Sequence, residues 1–179
     1  MKRAYLIIDM SNDFVDRDGA LTVGAKAREI VPAILKRAEA FRNNGDLVVF
    51  CMDSHAPGDA HFTIWPVHCV KGTWGQKLYG ELNDWYEAHK KEENVFYVPK
   101  TDYDAFYKTD LAAILINNEV TDVYASGVCT DMCVFNTVYG AYKNGFDTHV
   151  SSAECATFTD NHHIFIKHMN TIYKTETDE

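Results

Sequence analysis

The chain holds no apolar run near the roughly 20 residues that a membrane span requires. Its longest, such as Leu111-Ala-Ala-Ile-Leu-Ile116, are sized for a strand or a helix. A basic tract is missing too: 17 Lys and Arg stand against 26 Asp and Glu, for a formal net charge of −9. That balance is a poor electrostatic match to nucleic acid or anionic lipid, so neither is an expected partner. Cysteines number five, an odd count too small for a disulfide scaffold at this length, which points to a reducing cytoplasm. No signal-peptide cleavage region follows Met1-Lys-Arg, which runs straight into a short apolar segment. Repeats, low-complexity segments and linkers are likewise missing. What is present is 46% hydrophobic and 24% charged residues over 179, enough to bury a core without disulfides or a structural metal. The expectation is one cytoplasmic domain spanning residues 1–179.

Apolar runs alternate with helical patterns along the chain. Residues 4–8, 47–52, 95–98, 122–126 and 147–151 read as strands, the first two as continuous apolar runs buried on both faces. Between them, 25–43, about 110–117, about 131–144 and 161 to about 173 read as helices. Pro32 falls near a first turn, and Gly45 and Gly145 mark stops. Such alternation predicts a three-layer α/β/α fold, with a mostly parallel central sheet and helices on both faces. The acidic tail from Thr175 to Glu179 is expected to fray.

Ligands of such sheets bind beyond the carboxyl ends of the strands, and the chemically loaded residues fall there. Asp9 ends the first strand, Asp53 the second, Lys100 follows the third, and the turn from Gly127 to Cys133 follows the fourth. In that turn Cys133 enters a helix whose unpaired N–H groups favour a thiolate and can receive an oxyanion. Against this stands the ordinary fate of a free cysteine as a small buried hydrophobe, which is the reading for Cys51, Cys69 and Cys155. Cys129 and Cys133 are not at redox Cys-x-x-Cys spacing. Asp9 and Lys100 are each unremarkable alone, and gain meaning only from sharing a crevice with a thiol that needs a base. Asp53, His55, His61 and His68 lie within sixteen residues and could offer nitrogen and oxygen ligands to zinc, manganese or iron, although histidine clusters also occur without metal. Phe14, Trp65 and Tyr103 could sandwich a flat ring, or simply pack. His162, His163 and His168 read as surface or interface residues.

Three blocks give the chain a more specific resemblance: Asp9…Asp13-Phe14; Asp53-x-His55 with Phe62, Trp65-Pro-x-His68-Cys and Val70-x-Gly72-Thr73; and Gly127-Val-Cys-Thr-Asp-x-Cys133-Val. Over nearly its whole length it resembles the nicotinamidases of the isochorismatase-like cysteine hydrolase superfamily. The resemblance implies a triad of Asp9, Lys100 and Cys133, with a cis peptide at Val128–Cys129 shaping an oxyanion hole. It implies metal ligation by Asp53, His55 and His68, with His61 at a position where relatives vary, and one divalent metal, zinc before manganese or iron. Phe14, Leu21, Trp65 and Tyr103 fall at or near ring-contacting positions. The implied reaction is deamidation of nicotinamide in NAD salvage, with pyrazinamide a side substrate and self-association common among relatives. Ser11 stands where many relatives carry Gln, and is expected to tune the surroundings of Asp9. The rival readings are another amide or carbamoyl hydrolase with the same triad, a non-catalytic binding protein on the same fold, and a metal-only hydrolase.

Overall fold

The computed structural model describes residues 2–178. Six strands, β1 (Lys2–Ile8), β2 (Leu47–Asp53), β3 (Val95–Lys100), β4 (Val120–Val128), β5 (Asp147–Ala156) and β6 (Glu176–Thr177), form one parallel sheet in the order β3-β2-β1-β4-β5-β6. Around it pack α1 (Asn12–Val15), α2 (Ala25–Glu29), α3 (Val31–Asn43), α4 (Gly80–His89), α5 (Leu111–Asn117), α6 (Phe135–Lys143) and α7 (His162–Tyr173). Alternation within β1 divides the core. Ala4, Leu6 and Ile8 face a cluster completed by Leu111 of α5, Val138 of α6 and Ile166 of α7. Tyr5 and Ile7 face the opposite cluster, with Ala27 of α2, Ile34 and Ala38 of α3 and Leu82 of α4. Both faces of the sheet are therefore covered, which is why β1 and β2 can carry continuous apolar runs over residues 4–8 and 47–52. The expected three-layer architecture is the observed one. Among the described residues no helix is long and apolar enough to cross a membrane.

Several details depart from the sequence reading. The helix expected over 25–43 is two, broken at Ile30. Pro32 has no N–H for the carbonyl of Arg28, but in the first turn of a new helix it needs none. The helix expected from about 131 begins as a π-type turn over Thr130–Val134 before α6. Helix α4 and a 3-10 turn over Ala60–Thr63 were not anticipated. The tail does not fray up to Asp178: Glu176 and Thr177 pair with His149 and Val150, and the Thr148 and Thr175 hydroxyls meet at 2.8 Å. Asp178 accepts from Ser151 Oγ and Ser152 N. Glu179 lies outside the described residues. His162 is not a simple surface residue. Its ring is half-buried between Thr130 Oγ1 at 2.8 Å and Ser152 Oγ at 2.9 Å, whereas His163 and His168 are exposed.

Candidate active site

The parallel register brings the carboxyl ends of β1, β2, β3 and β4 together. Asp53 pairs with Lys100, and Ile8 pairs with both Cys51 and Gly127. Gly127 has φ +107, and a Cβ there would stand 2.0 Å from the Ile8 carbonyl oxygen, so only glycine lets β4 lie this close to β1. Immediately after β1, Asp9 takes a left-handed φ of 55, which aspartate tolerates better than most residues. Its N–H donates to Cys51 O at 3.0 Å, and its Oδ1 accepts from Asp53 N at 2.8 Å. The carboxylate is thus pinned beside β2. The Val128–Cys129 peptide is cis.

Lys100 is the centre of the cluster. Its Nζ lies 2.7 Å from Asp9 Oδ2, 2.5 Å from Asp53 Oδ1, 3.0 Å from Asp102 O and 3.7 Å from Cys133 Sγ. All four side chains are buried, the lysine at 2% exposure. The contact to Asp9 is an ion pair out of hydrogen-bond alignment, so Oδ2 is a buried oxygen without a hydrogen-bond partner. Burial opposes the lysine's charge, but two carboxylates outweigh it and hold the ammonium well above its ordinary pKa. Burial and then the neighbouring Asp53 push the Asp9 carboxyl up to about 6, against the pull of Lys100. Asp53 goes the other way: Lys100 overcomes its burial and holds it far below the usual carboxylate range. Burial raises the Cys133 thiol well above its ordinary value in spite of Lys100, and the nearby charges of Asp9 and Asp53 add to the rise. A protonated thiol next to a carboxylate held near neutrality, with a fixed ammonium between them, is an arrangement for moving one proton and steadying the resulting anion.

Above the thiol opens a pocket lined by Phe14, Leu21, Trp65, Tyr103, Val128, Cys129 and Cys133, together with Asp53, His61 and His68. All four residues named from the sequence as candidates for ring contact line it. Trp65 Nε1 donates to the Tyr103 hydroxyl at 2.8 Å, which fixes both rings. Met132 and Phe158 also line the pocket and were not anticipated. Phe158 crosses Trp65 edge-to-face, with centroids 6.4 Å apart. It lies just past Ala156, the true end of β5; a strand taken to stop at residue 151 hides it from the strand-end rule.

Asp13 fixes the walls. Its carboxylate accepts from Ala20 N at 3.0 Å, beside Leu21, and from Cys69 N at 2.7 Å, beside His68. Gly75 packs so closely on it that a Cβ would come within 2.0 Å of Oδ2. The Ser11 hydroxyl meets Cys69 Sγ at 3.2 Å, so it supports the His68 segment rather than the surroundings of Asp9.

His55, His61 and His68 bring ring nitrogens within 4.8 Å of one another. Asp53 Oδ2 stands 3.5 Å from His55 Nε2 and 3.7 Å from His68 Nε2. His55 Nδ1 faces Asp59 Oδ2 at 3.1 Å, and His68 Nδ1 faces Pro66 O at 2.6 Å. Both partners are acceptors, so each Nδ1 carries the hydrogen and each Nε2 turns a lone pair to the cluster. His55 Nε2 is buried with no hydrogen-bond partner. An orphaned imidazole nitrogen among two further imidazoles and a carboxylate fits a divalent metal ion, and this cluster could hold one.

The chain matches the isochorismatase domain family over residues 3–178. It is 42% identical over 166 residues to an isochorismatase family protein, PncA, of Bacillus subtilis, with 91% of each chain covered. Among solved structures it superposes on nicotinamidase PncA from Bacillus subtilis with TM-score 0.96 and 39% identity, covering all of both chains. It also superposes on a zinc-complexed pyrazinamidase of Pyrococcus horikoshii with TM-score 0.88 and 27% identity, covering 100% of this chain and 99% of that one. The chain is therefore an amidohydrolase-type member of the isochorismatase domain family, built like the nicotinamidases within it.

Proposed function

We propose that the protein is a nicotinamide deamidase, converting nicotinamide and water to nicotinate and ammonia as a cytoplasmic step of NAD salvage, and accepting pyrazinamide as a side substrate. The observation that carries this reading is that one pocket is lined by aromatic side chains, by the Cys133 thiol that Lys100 backs, and by two of the three clustered imidazoles, His61 and His68. The slot suits a flat ring, the array suits attack on a carboxamide, and the imidazoles of His61 and His68 offer donor atoms to the same pocket. Five unpaired cysteines agree with a reducing compartment.

In the mechanism we assign, Asp9 takes the Cys133 thiol proton while Lys100 stabilises the charge that appears between them. The thiolate attacks the carboxamide carbon, and the N–H groups of Cys129 and Cys133 receive the oxyanion. Protonated Asp9 returns its proton to the departing ammonia, leaving a Cys133 thioester. Asp9 then takes a proton from water, which attacks the thioester and frees nicotinate, and the thiol is restored. Phe14, Leu21, Trp65 and Tyr103 hold the ring so that the carboxamide stays over the thiol. Asp53, His55, His61 and His68 would hold one divalent ion, zinc before manganese or iron, which would supply Lewis acidity toward the pyridine nitrogen and so help to orient the ring. Asp53 serves two partners in this scheme, presenting Oδ1 to Lys100 and Oδ2 to the histidines.

Ammonia release from nicotinamide, measured for wild type and Cys133→Ala as purified and after chelation with zinc add-back, tests the reading. Expected is release by wild type, loss on chelation, recovery with zinc, and none from the variant. A folded, metal-loaded wild type that releases no ammonia rejects nicotinamide as the substrate. Activity surviving Cys133→Ala retains the substrate and replaces the thioester with metal-only hydrolysis.

A further inference from the structure

We propose that Asp59 is a positioning residue of the metal centre, setting His55 and His61 together through the two oxygens of one carboxylate. The proposal rests on the reading of the histidine cluster as a metal site. Asp59 caps the 3-10 turn that carries His61: its Oδ1 accepts from His61 N at 2.9 Å. Its Oδ2 stands 3.1 Å from Nδ1 of His55, four residues earlier on the other limb of the loop. The loop folds so that these meet, with Asp59 N donating to Ala56 O at 3.1 Å and Gly58 at φ +80. As a result the His55 and His61 rings lie nearly parallel, 10° apart with centroids at 4.8 Å.

Two consequences follow from that geometry. A carboxylate on Nδ1 fixes the His55 tautomer, so that the lone pair of Nε2 points to Asp53 and His68, and it makes that nitrogen a better donor. The backbone bond to His61 simultaneously sets where the second ring starts. One side chain thus fixes the spacing between two donors, which a ligand-by-ligand description of the site leaves unexplained. His68 depends on a separate support, the Pro66 carbonyl, so the role of Asp59 is confined to the other two.

Zinc affinity, measured by competition with a chromophoric chelator, separates this role from a cap that merely stabilises the loop. Asp59→Ala loses both contacts and is expected to weaken zinc binding about 10- to 100-fold, the usual effect of removing a ligand's hydrogen-bonding partner. Asp59→Ser can still cap His61 N but is too short to reach His55, and is expected to show most of that loss. In the metal-free proteins, imidazole 15N shifts are expected to report a single Nδ1–H tautomer for His55 in wild type and a mixture in Asp59→Ser. Wild-type affinity and an unmixed tautomer in Asp59→Ser would reduce Asp59 to a cap and overturn the proposal. Wild type binding zinc no better than His55→Ala would remove the metal site itself and the proposal with it. Tight, Asp59-dependent zinc binding in a protein inert toward nicotinamide would uphold the proposal and reject only the substrate.

Discussion

The two ends of strands β1, β2 and β3 carry polar clusters of opposite character. At the amino end, Asp46 precedes β2 and is 3% exposed. Its Oδ1 accepts from Arg3 N at 3.1 Å, and its Oδ2 from Arg3 Nε and from Asn44 Nδ2, each at 2.8 Å. Asn94, just before β3, donates to the carbonyls of Asp46 and Arg42. Burial works against the Asp46 charge, but these donors overcome it and hold its pKa below the ordinary value. At the carboxyl end Asp9 is 1% exposed, yet its pKa is pushed up to about 6 and one of its oxygens has no hydrogen-bond partner. Both carboxylates are shut off from solvent, but Asp9 is the more deeply desolvated and sits beside the like charge of Asp53, whereas Asp46 has donors on both of its oxygens. A carboxylate fully matched by donors is a structural tie; one held part-way to neutrality beside a thiol is equipped to exchange a proton.

Asp9→Asn is the strongest test of that contrast. It removes the proposed base and is expected to lower kcat for nicotinamide by about 10⁴-fold, the scale of losing a member of a catalytic set. Its Tm is expected at or above that of wild type, because ionising Asp9 in its buried place is unfavourable. A variant that turns over normally, or that loses activity only by unfolding, would put Asp9 in the same class as Asp46. At the other end, Asp46→Ala strands Arg3 N and the Asn44 amide, at about 2 kcal/mol. For a chain this size that is a fall of about 4–8 °C in Tm. The kcat of Asp46→Ala is expected to stay within about twofold of wild type, because the amino-end cluster lies a full strand length from the site residues. Loss of activity without loss of Tm would break the division between the two ends.

The same two ends were not equally legible in the sequence. Apolar runs that stop at Asp9, Asp53 and Lys100, and a glycine turn leading to Cys133, expose the candidate crevice because strand periodicity and the strand-end rule are both local. The second donor set was half legible: the spacing of Asp53, His55, His61 and His68 was visible, but the Asp59 carboxylate that ties two of them depends on how the loop closes. Phe158 was missed because β5 runs five residues past its apolar stretch, through a register shift opposite Ala125 and Gly127. Ser11 was assigned to the wrong neighbour because its partner Cys69 lies 58 residues away. Strand β6 has two residues and no pattern of its own; Thr148, Ser151 and Ser152 hold it from another strand. Helix α4 has no side-chain N-cap, and its inward residues Leu82, Trp85 and Tyr86 are interleaved with charges.

Phe158 sharpens the contrast from the apolar side. With 46% of its surface exposed it stabilises little, so Phe158→Ala is expected to leave Tm unchanged. It closes the pocket against Trp65, so its loss is expected to raise KM for nicotinamide several-fold, about 1 kcal/mol of ring contact, with kcat nearly constant. An unchanged KM would take Phe158 out of the binding wall.

The smallest effect is also the most diagnostic, because the sign differs between the two ends. Asp46 has a lowered pKa in the fold, so its contribution to stability is complete above the unfolded value of about 3.9 and is lost as pH falls through the folded value. Glu154, near the carboxyl end of β5 and outside the catalytic array, is the opposite case. Burial raises its pKa in spite of Arg37 at 2.6 Å and the Tyr5 hydroxyl at 3.2 Å. Its contribution is therefore complete below the unfolded value of about 4.3 and is lost as pH rises through the folded value. Relative to wild type, Asp46→Asn should lose Tm progressively as pH climbs from acid through the folded value to just above the unfolded one, whereas Glu154→Gln should gain it as pH rises from the unfolded value through the folded one toward neutrality. Thermal scans of the three proteins across that range read both slopes. Slopes of the same sign would mean that burial does not override the donors at Glu154 and that its carboxyl behaves as that of Asp46 does.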